Sequence, residues 1–319
     1  SELNFDELIQ ENFENFALIN YQVFNILPKL KELTIHISKA YLFVLYSIVV
    51  NCQNLSLLKI ILTKNNENNS VEILNDVIPI ILSYLKNLNE FALLPFPLTN
   101  NKLPPIVETL KTSKLKKLTL NNCFNNKEDL SFLNNYFSNS NSLVEINLSS
   151  NDFNVPTLYS NTLLNYSVCK QLTSINFSNC NLNDEDVKHI ANYIVSSTSL
   201  LICDIGKNKL SPLACSTFGY SILKTTSLET LRINECGING ESLLFIFNGK
   251  GSKPLKHVNL NGNEIGDIGL VSISAFIKAS PILESIELNK CGGTDMGFIS
   301  VVNTIHSLTN NKMKYVSFK

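Results

Sequence analysis

One pattern constrains this chain more than any other: Leu-x-x-Leu-x-Leu, or a close apolar variant, returning at a nearly constant interval. It appears as Leu115, Leu118, Leu120, then as Leu143, Ile146, Leu148 and Leu172, Ile175, Phe177. It continues as Leu200, Cys203, Ile205, as Leu228, Leu231, Ile233, as Leu255, Val258, Leu260 and as Leu283, Ile286, Leu288. The seven starts are separated by 28, 29, 28, 28, 27 and 28 residues. Looser copies lie at Leu30, Leu33, Ile35, at Leu55, Leu58, Ile60 and at Leu88, Phe91, Leu93, and Met313, Val316, Phe318 begins one more. About eleven units therefore run from residue 30 to residue 319.

A unit of that length cannot bury its own apolar face, so units must stack on one another. Within each, the Leu-x-Leu alternation predicts a strand with one apolar side. Helical spacing follows it. Asp184-Glu185-Asp186 precedes an apolar stripe at Val187, Ile190, Ala191 and Ile194, and Gly269, Leu270, Ile273, Phe276, Ile277 repeats the idea. Acidic residues in a first turn favour a helix start. The fold expected is an α/β solenoid with a parallel β-sheet on its concave face and α-helices on its convex face. It should curve because strands are narrower than helices. Residues 1–29, with Phe5, Leu8, Ile9, Phe13, Phe16, Val23 and Phe24, read as a helical cap on the first unit.

The eighth residue after each start reads Cys123, Asn151, Cys180, Asn208, Cys236, Asn263, Cys291, a strict alternation. A small residue that turns inward behind the strand and bonds the backbone of the turn suits this place, and stacking would align these residues as a ladder. The interval and the Cys/Asn column resemble the ribonuclease-inhibitor-like branch of leucine-rich-repeat proteins, well from about residue 88 onward and loosely from 30 to 87. That branch includes ribonuclease inhibitor, the Ran GTPase-activating protein, tropomodulin-like actin regulators and the CARMIL family of actin capping-protein regulators. Residues 137–149 and 261–269 are similar to CARMIL repeats. The resemblance implies a protein-binding scaffold with a cytoskeletal, capping-protein role. A GTPase-activating or ribonuclease-inhibitor-like regulator is the alternative. The first would need an acidic tail and an arginine on a loop, whereas Arg232, the only arginine, falls on a strand. The second favours a strongly acidic inner face.

Composition narrows the field further. The chain has 319 residues, more than one ordinary core holds, and 44% are hydrophobic. A net charge of -1 supplies no field for nucleic acid or anionic membrane. No secretory leader opens the chain, and the most apolar run, Tyr41 to Val50, is about half a bilayer span. Of the sequons at Asn54, Asn147, Asn165 and Asn176, two fall on expected strands, which points to a cytoplasmic protein.

The cysteines and histidines are the side chains a reactive or metal site would draw on. Ladder cysteines lie two units apart, about 10 Å, too far for a disulfide. They and Cys203 should be buried thiols, leaving Cys52, Cys169 and Cys215 for a regulatory or accidental role. His36, His189, His257 and His306 fall in different units, and none is expected beside a nucleophile. Gly249-Lys250-Gly251-Ser252-Lys253 lacks the spacing of a phosphate loop. The Lys111–Lys117 cluster reads as a solvated loop or as a contact for an acidic partner. No metal, cofactor or catalysis is expected.

A protein partner should meet the side chains between the leucines on the concave face. The candidates are Lys117, Glu145, Asn147, Asn176, Asn179, Asp204, Lys207, Arg232, Glu235, His257, Asn259, Glu287 and Lys290. In the first units the equivalent places are apolar: Ile37, Leu57, Ile61, Leu62, Ala92, Leu94 and Pro95. Either that surface docks a helix, or the register slips there. Phe318-Lys319 ends the chain inside a strand unit, so the last unit is expected to be covered by a second copy or by a longer polypeptide.

Overall fold

The computed structural model describes residues 2–3, 29–37, 51–62, 68–96, 98, 103–124, 128–153, 170–247, 254–308 and 312–318. They form two compact units, Ser1–Asn151 and Asp152–Lys319.

In the first unit, strands β1 (Glu2–Leu3), β2 (Glu32–Ile37), β3 (Leu57–Leu62), β4 (Glu90–Leu94), β5 (Lys117–Leu120) and β6 (Glu145–Asn147) pair in chain order, each parallel to the next. Helices α1 (Asn68–Tyr84), α2 (Leu103–Leu110) and α3 (Glu128–Asn139) lie in the crossovers, and neighbours pack on each other. In the second unit, β7 (Ser174–Asn176), β8 (Ile202–Asp204), β9 (Thr230–Arg232), β10 (His257–Asn259), β11 (Ser285–Glu287) and β12 (Tyr315–Ser317) pair in the same way. Helices α4 (Asp184–Ser196), α5 (Pro212–Lys224), α6 (Gly240–Ile246), α7 (Gly266–Ala279) and α8 (Asp295–Ser307) alternate with them and stack consecutively. Eleven described strands follow residue 29, one for each unit expected from the repeat.

Period-2 alternation decides which strand side faces the helices. Leu118, Leu120, Ile146 and Leu148 are buried in the first unit, and Ile175, Phe177, Cys203, Ile205, Leu231, Ile233, Val258, Leu260, Ile286 and Leu288 in the second. One inner-face assignment needs correction. Leu62 shares parity with buried Leu58 and Ile60, so it belongs to the helix side of its strand. Strands β2 and β3 run six residues, twice the length of most later ones, which carries the alternation past the expected turn.

The Cys/Asn column explains how neighbouring repeats lock. Asn208 Oδ1 accepts from the backbone N–H groups of Cys180 and Leu182 at 2.9 and 3.2 Å. Its Nδ2 donates to Phe177 O and Ile205 O at 2.9 and 2.8 Å. Asn263 does the same for Cys236, Ile238, Ile233 and Leu260, and in the first unit Asn151 does so for Cys123, Phe124, Leu120 and Leu148. The return bond is backbone to backbone: the N–H of Phe153, Leu210 and Gly266 donates to the carbonyl of Cys180, Cys236 and Cys291 respectively. Both therefore serve the turn of the repeat before them, the asparagines through the side-chain amide and the cysteines through the backbone carbonyl.

Helix starts are capped across repeats as well as within them. Asn183 caps α4 in a reciprocal box with Asp186, and Ser211 caps α5 ahead of Pro212. Ser211 Oγ also donates to Asp184 Oδ1 at 2.7 Å, and Thr294 donates its N–H and hydroxyl to the Asp267 carboxylate, both at 2.8 Å. Of the expected N-terminal cap, Glu2–Leu3 is a strand paired with Thr34 and Ile35, and residues 4–28 lie outside the described residues. So do Cys169, the Tyr41–Val50 run and the Gly249–Lys253 loop.

Candidate functional site

The side of each sheet away from its helices carries the residues expected to meet a partner. In the first unit Lys117 pairs with Glu145 at 3.0 Å, a bond that raises the lysine pKa, and Thr119 stands beside Asn147. Leu57, Ile61 and Leu94 share that face and are half-buried. In the second unit two rows run across the strands: Ser174, Ile202, Thr230, His257, Ser285, Tyr315, and Asn176, Asp204, Arg232, Asn259, Glu287, Ser317.

Much of the second row is engaged in holding its own strand. Asn147, Asn176, Asp204 and Asn259 each accept, through Oδ1, the backbone N–H two residues on, at 2.9 to 3.0 Å. These Asx turns close the strand ends, so four of the expected contact residues have a structural duty. Glu287 accepts from Asn259 and Asn261 at 3.0 and 2.7 Å. Arg232 has no such turn to make. It is exposed at the middle of the row, beside Asp204. Burial raises the Asp204 pKa, while the Gly206 N–H and the Arg232 charge pull it back only in part.

Asn179, Lys207, Glu235 and Lys290 stand one step beyond the strands. Each adopts a left-handed backbone, φ between 53 and 59°, in the turn that leads toward the helix, as does Gly262 at 69°. They form an exposed rim rather than part of the strand face, with Lys207 and Glu235 3.7 Å apart. Only asparagine among those four tolerates this conformation readily, so lysine and glutamate hold it at a cost of about 1 kcal/mol each.

One histidine does meet a hydroxyl, contrary to the sequence expectation. His257 Nδ1 lies 2.9 Å from Ser285 Oγ on the adjacent strand. Strand register brings them together, since they occupy the same place in consecutive units. The nearby Glu284 carboxylate is taken up by Lys314 at 2.7 Å. The cysteines behave as core. All seven described are buried, and burial pushes the thiols of Cys52, Cys215 and Cys291 up to about 11 and that of Cys236 to about 12. Cys123 and Cys203 are raised further still. Such thiols are poor nucleophiles and poor metal ligands. In the Lys111–Lys117 cluster, Lys111 pairs with Glu108, whereas Lys114 and Lys116 are exposed.

A family model described as a leucine-rich repeat matches residues 168–191 and 251–274. Ribonuclease inhibitors from Sus scrofa and Mus musculus are each 27% identical, over 226 and 248 residues. The chain is built of leucine-rich repeats of the ribonuclease-inhibitor-like type. The matches take in 68 and 74% of this chain but 49 and 54% of the relatives, so the leucine-rich-repeat chain spans about half the length of the curated relatives it matches. Similar solved structures include the leiomodin-1 actin-binding site 2, with a TM-score of 0.38 and 14% identity over 43% of this chain and 80% of that one. An internalin from Listeria monocytogenes has a TM-score of 0.44 and 16% identity over 80% and 71%. Among the described residues no helix of the leucine-rich-repeat chain is long and apolar enough to cross a membrane.

Proposed function

We propose that this leucine-rich-repeat chain is a non-catalytic module that binds a protein partner on the open strand face of its second unit. Arg232 carries the reading. It is an exposed, always-charged fork at the centre of a row in which Asn176, Asp204 and Asn259 close their own strands. Glu235 and Lys207 on the rim and the His257–Ser285 pair complete a surface of mixed charge. Such a surface suits selective polar contacts around an arginine hot spot more than a broad electrostatic trap.

The test is affinity capture from the source cell with the unaltered chain and with an Arg232→Ala, Glu235→Ala, His257→Ala triple variant. Loss of specific partners is the expected result. A triple variant that retains every partner would remove the open face of the second unit from consideration. Within this reading a cytoskeletal role, through actin capping protein, is the first to test, using purified capping protein in a pull-down. The similarity to ribonuclease inhibitors supports a second reading, in which the partner is a ribonuclease. Titration against a pancreatic-type ribonuclease separates the two. Inhibition at nanomolar chain selects the second, and unchanged activity at micromolar chain selects the first.

A further inference from the structure

The helix side of the second unit carries a different surface. Counting from the ladder residue, positions five, eight and twelve of each repeat lie on the outer face of its helix. In α4 they are Glu185, Lys188 and Asn192, as expected of a solvated face. In α7 they are Ile268, Val271 and Ala275, with Ile268 59% and Val271 57% exposed. In α8 they are Met296, Ile299 and Asn303, with Met296 77% and Ile299 51% exposed; Val302 beside them is 48% exposed, and Leu244 at position eight extends the stripe onto α6. Apart from Asp267 in the first turn and Lys278 in the last, α7 holds no charge. Its composition is that of a helix surrounded on all sides, yet its outer face is open. Close helix spacing keeps the stripes together: a Cβ on Gly240 would meet Ile265 O at 2.5 Å, and one on Gly297 would meet Leu270 Cδ1 at 2.7 Å.

The charges that border this patch are sorted by end. Glu241, Asp267 and Asp295 occupy the first turns of α6, α7 and α8, while Lys278 and His306 occupy the last turns of α7 and α8. A face that is apolar along its length, acidic at one end and basic at the other is complementary to itself turned end for end. A two-fold axis through the α7–α8 surface would lay apolar stripe on apolar stripe, with acidic ends against basic ends and opposed helix dipoles. We propose that this surface is occupied by a second copy of the chain, packed antiparallel through α7 and α8. The pairing uses the helix face and is independent of the strand face assigned above.

Sedimentation of the full chain across about 1 to 300 µM tests it, a range that covers the weak associations a modest apolar patch supports. The mass should rise from the 35.7 kDa of one chain toward twice that value. A Val271→Lys, Ile299→Lys variant, altered only at exposed positions and checked by its helical spectrum and melting, should stay at one chain throughout. Lys278→Glu alone should weaken association roughly tenfold by opposing Asp267 of the partner copy, and Lys278→Glu with the isosteric Asp267→Asn should restore most of it by removing that repulsion. A single-chain mass at every concentration overturns the pairing and leaves the stripe to a different protein. Undiminished association of the double-lysine variant overturns the surface. Failure of Asp267→Asn to restore association to the Lys278→Glu chain overturns the antiparallel register.

Discussion

At the scale of single residues, the asparagines of the ladder should matter far more than the cysteines. Asn263 is fully buried and serves four backbone groups, two N–H and two C=O. Asn263→Ala leaves all four without that partner, each costing on the order of 1 kcal/mol or more, so a loss of about 3–5 kcal/mol is expected in urea unfolding. Cys236→Ala removes only a small apolar side chain with weak S–H contacts to Ile205 O and Asn234 O, and should cost about 1–2 kcal/mol. Equal losses would refute the division of labour drawn above. Asp204 offers a pH test. Burial raises its pKa above the ordinary 3.8 even with Arg232 beside it, so the folded chain holds this proton more tightly than the unfolded chain does. Its contribution is therefore present below pH 3.8 and is lost as pH rises from there through the raised value. Asp204→Asn keeps the Asx turn that Asn147, Asn176 and Asn259 already make, and abolishes the loss. The variant should match the parent at low pH and exceed its melting temperature at neutral pH, and a lower melting temperature at pH 7 would contradict it.

At the scale of elements, α5 and α6 depend on a single missing side chain. A Cβ on Gly219 would sit 2.0 Å from Phe245 O and 2.9 Å from Ile246 Cα, both backbone atoms that cannot swing aside. Helix propensity alone would favour alanine by about 1 kcal/mol, but forcing the two helices apart opens the core around Phe218 and Ile246. Gly219→Ala should therefore destabilise by about 2–4 kcal/mol, read as a lowered urea midpoint, whereas a gain in stability would show the helices free to separate. This approach was not legible in the sequence, because Gly219 is an isolated glycine within an apolar helix pattern. What was legible followed from periodicity: the strands begin two residues after the repeat starts, and the ladder lies where the column of Cys and Asn put it. The alternation itself was visible, but the bonds by which Asn208 and Asn263 reach back to the repeat before them were not. For the candidate site, the alternate strand positions were readable. Register hid the Asx turns of Asn176 and Asp204, the His257–Ser285 bond and the left-handed rim at Lys207 and Glu235, because each requires knowing which residue stands across the strand or where the strand stops.

At the scale of the whole molecule, each unit is a stack in which a repeat's stability is its own plus that of its interfaces. In the second unit, α7 buries Gly269, Leu270, Ser272, Ile273, Ser274, Phe276 and Ile277, whereas α8 buries only Gly297, Val301 and Thr304. The same places that are closed in α7 at Leu270, Ser274 and Ile277 are open or half-open in α8 at Phe298, Val302 and Ile305. Phe298 is partly sheltered by the ring of Phe318, 5.1 Å away. Fewer buried contacts mean a lower free energy of local opening, so α8 and β12 should open without α7. Amide exchange should then be at least tenfold faster in α8 than in α7, a difference of about 1.4 kcal/mol, when read at a concentration where the chain is single. Raising the concentration should narrow the gap, because a second copy laid on the outer stripe would hold α8 against α7. If α8 is as protected as α7 in dilute chain, its own packing suffices and the graded stack is wrong. A gap that stays fixed while the mass doubles would mean that the copies meet elsewhere.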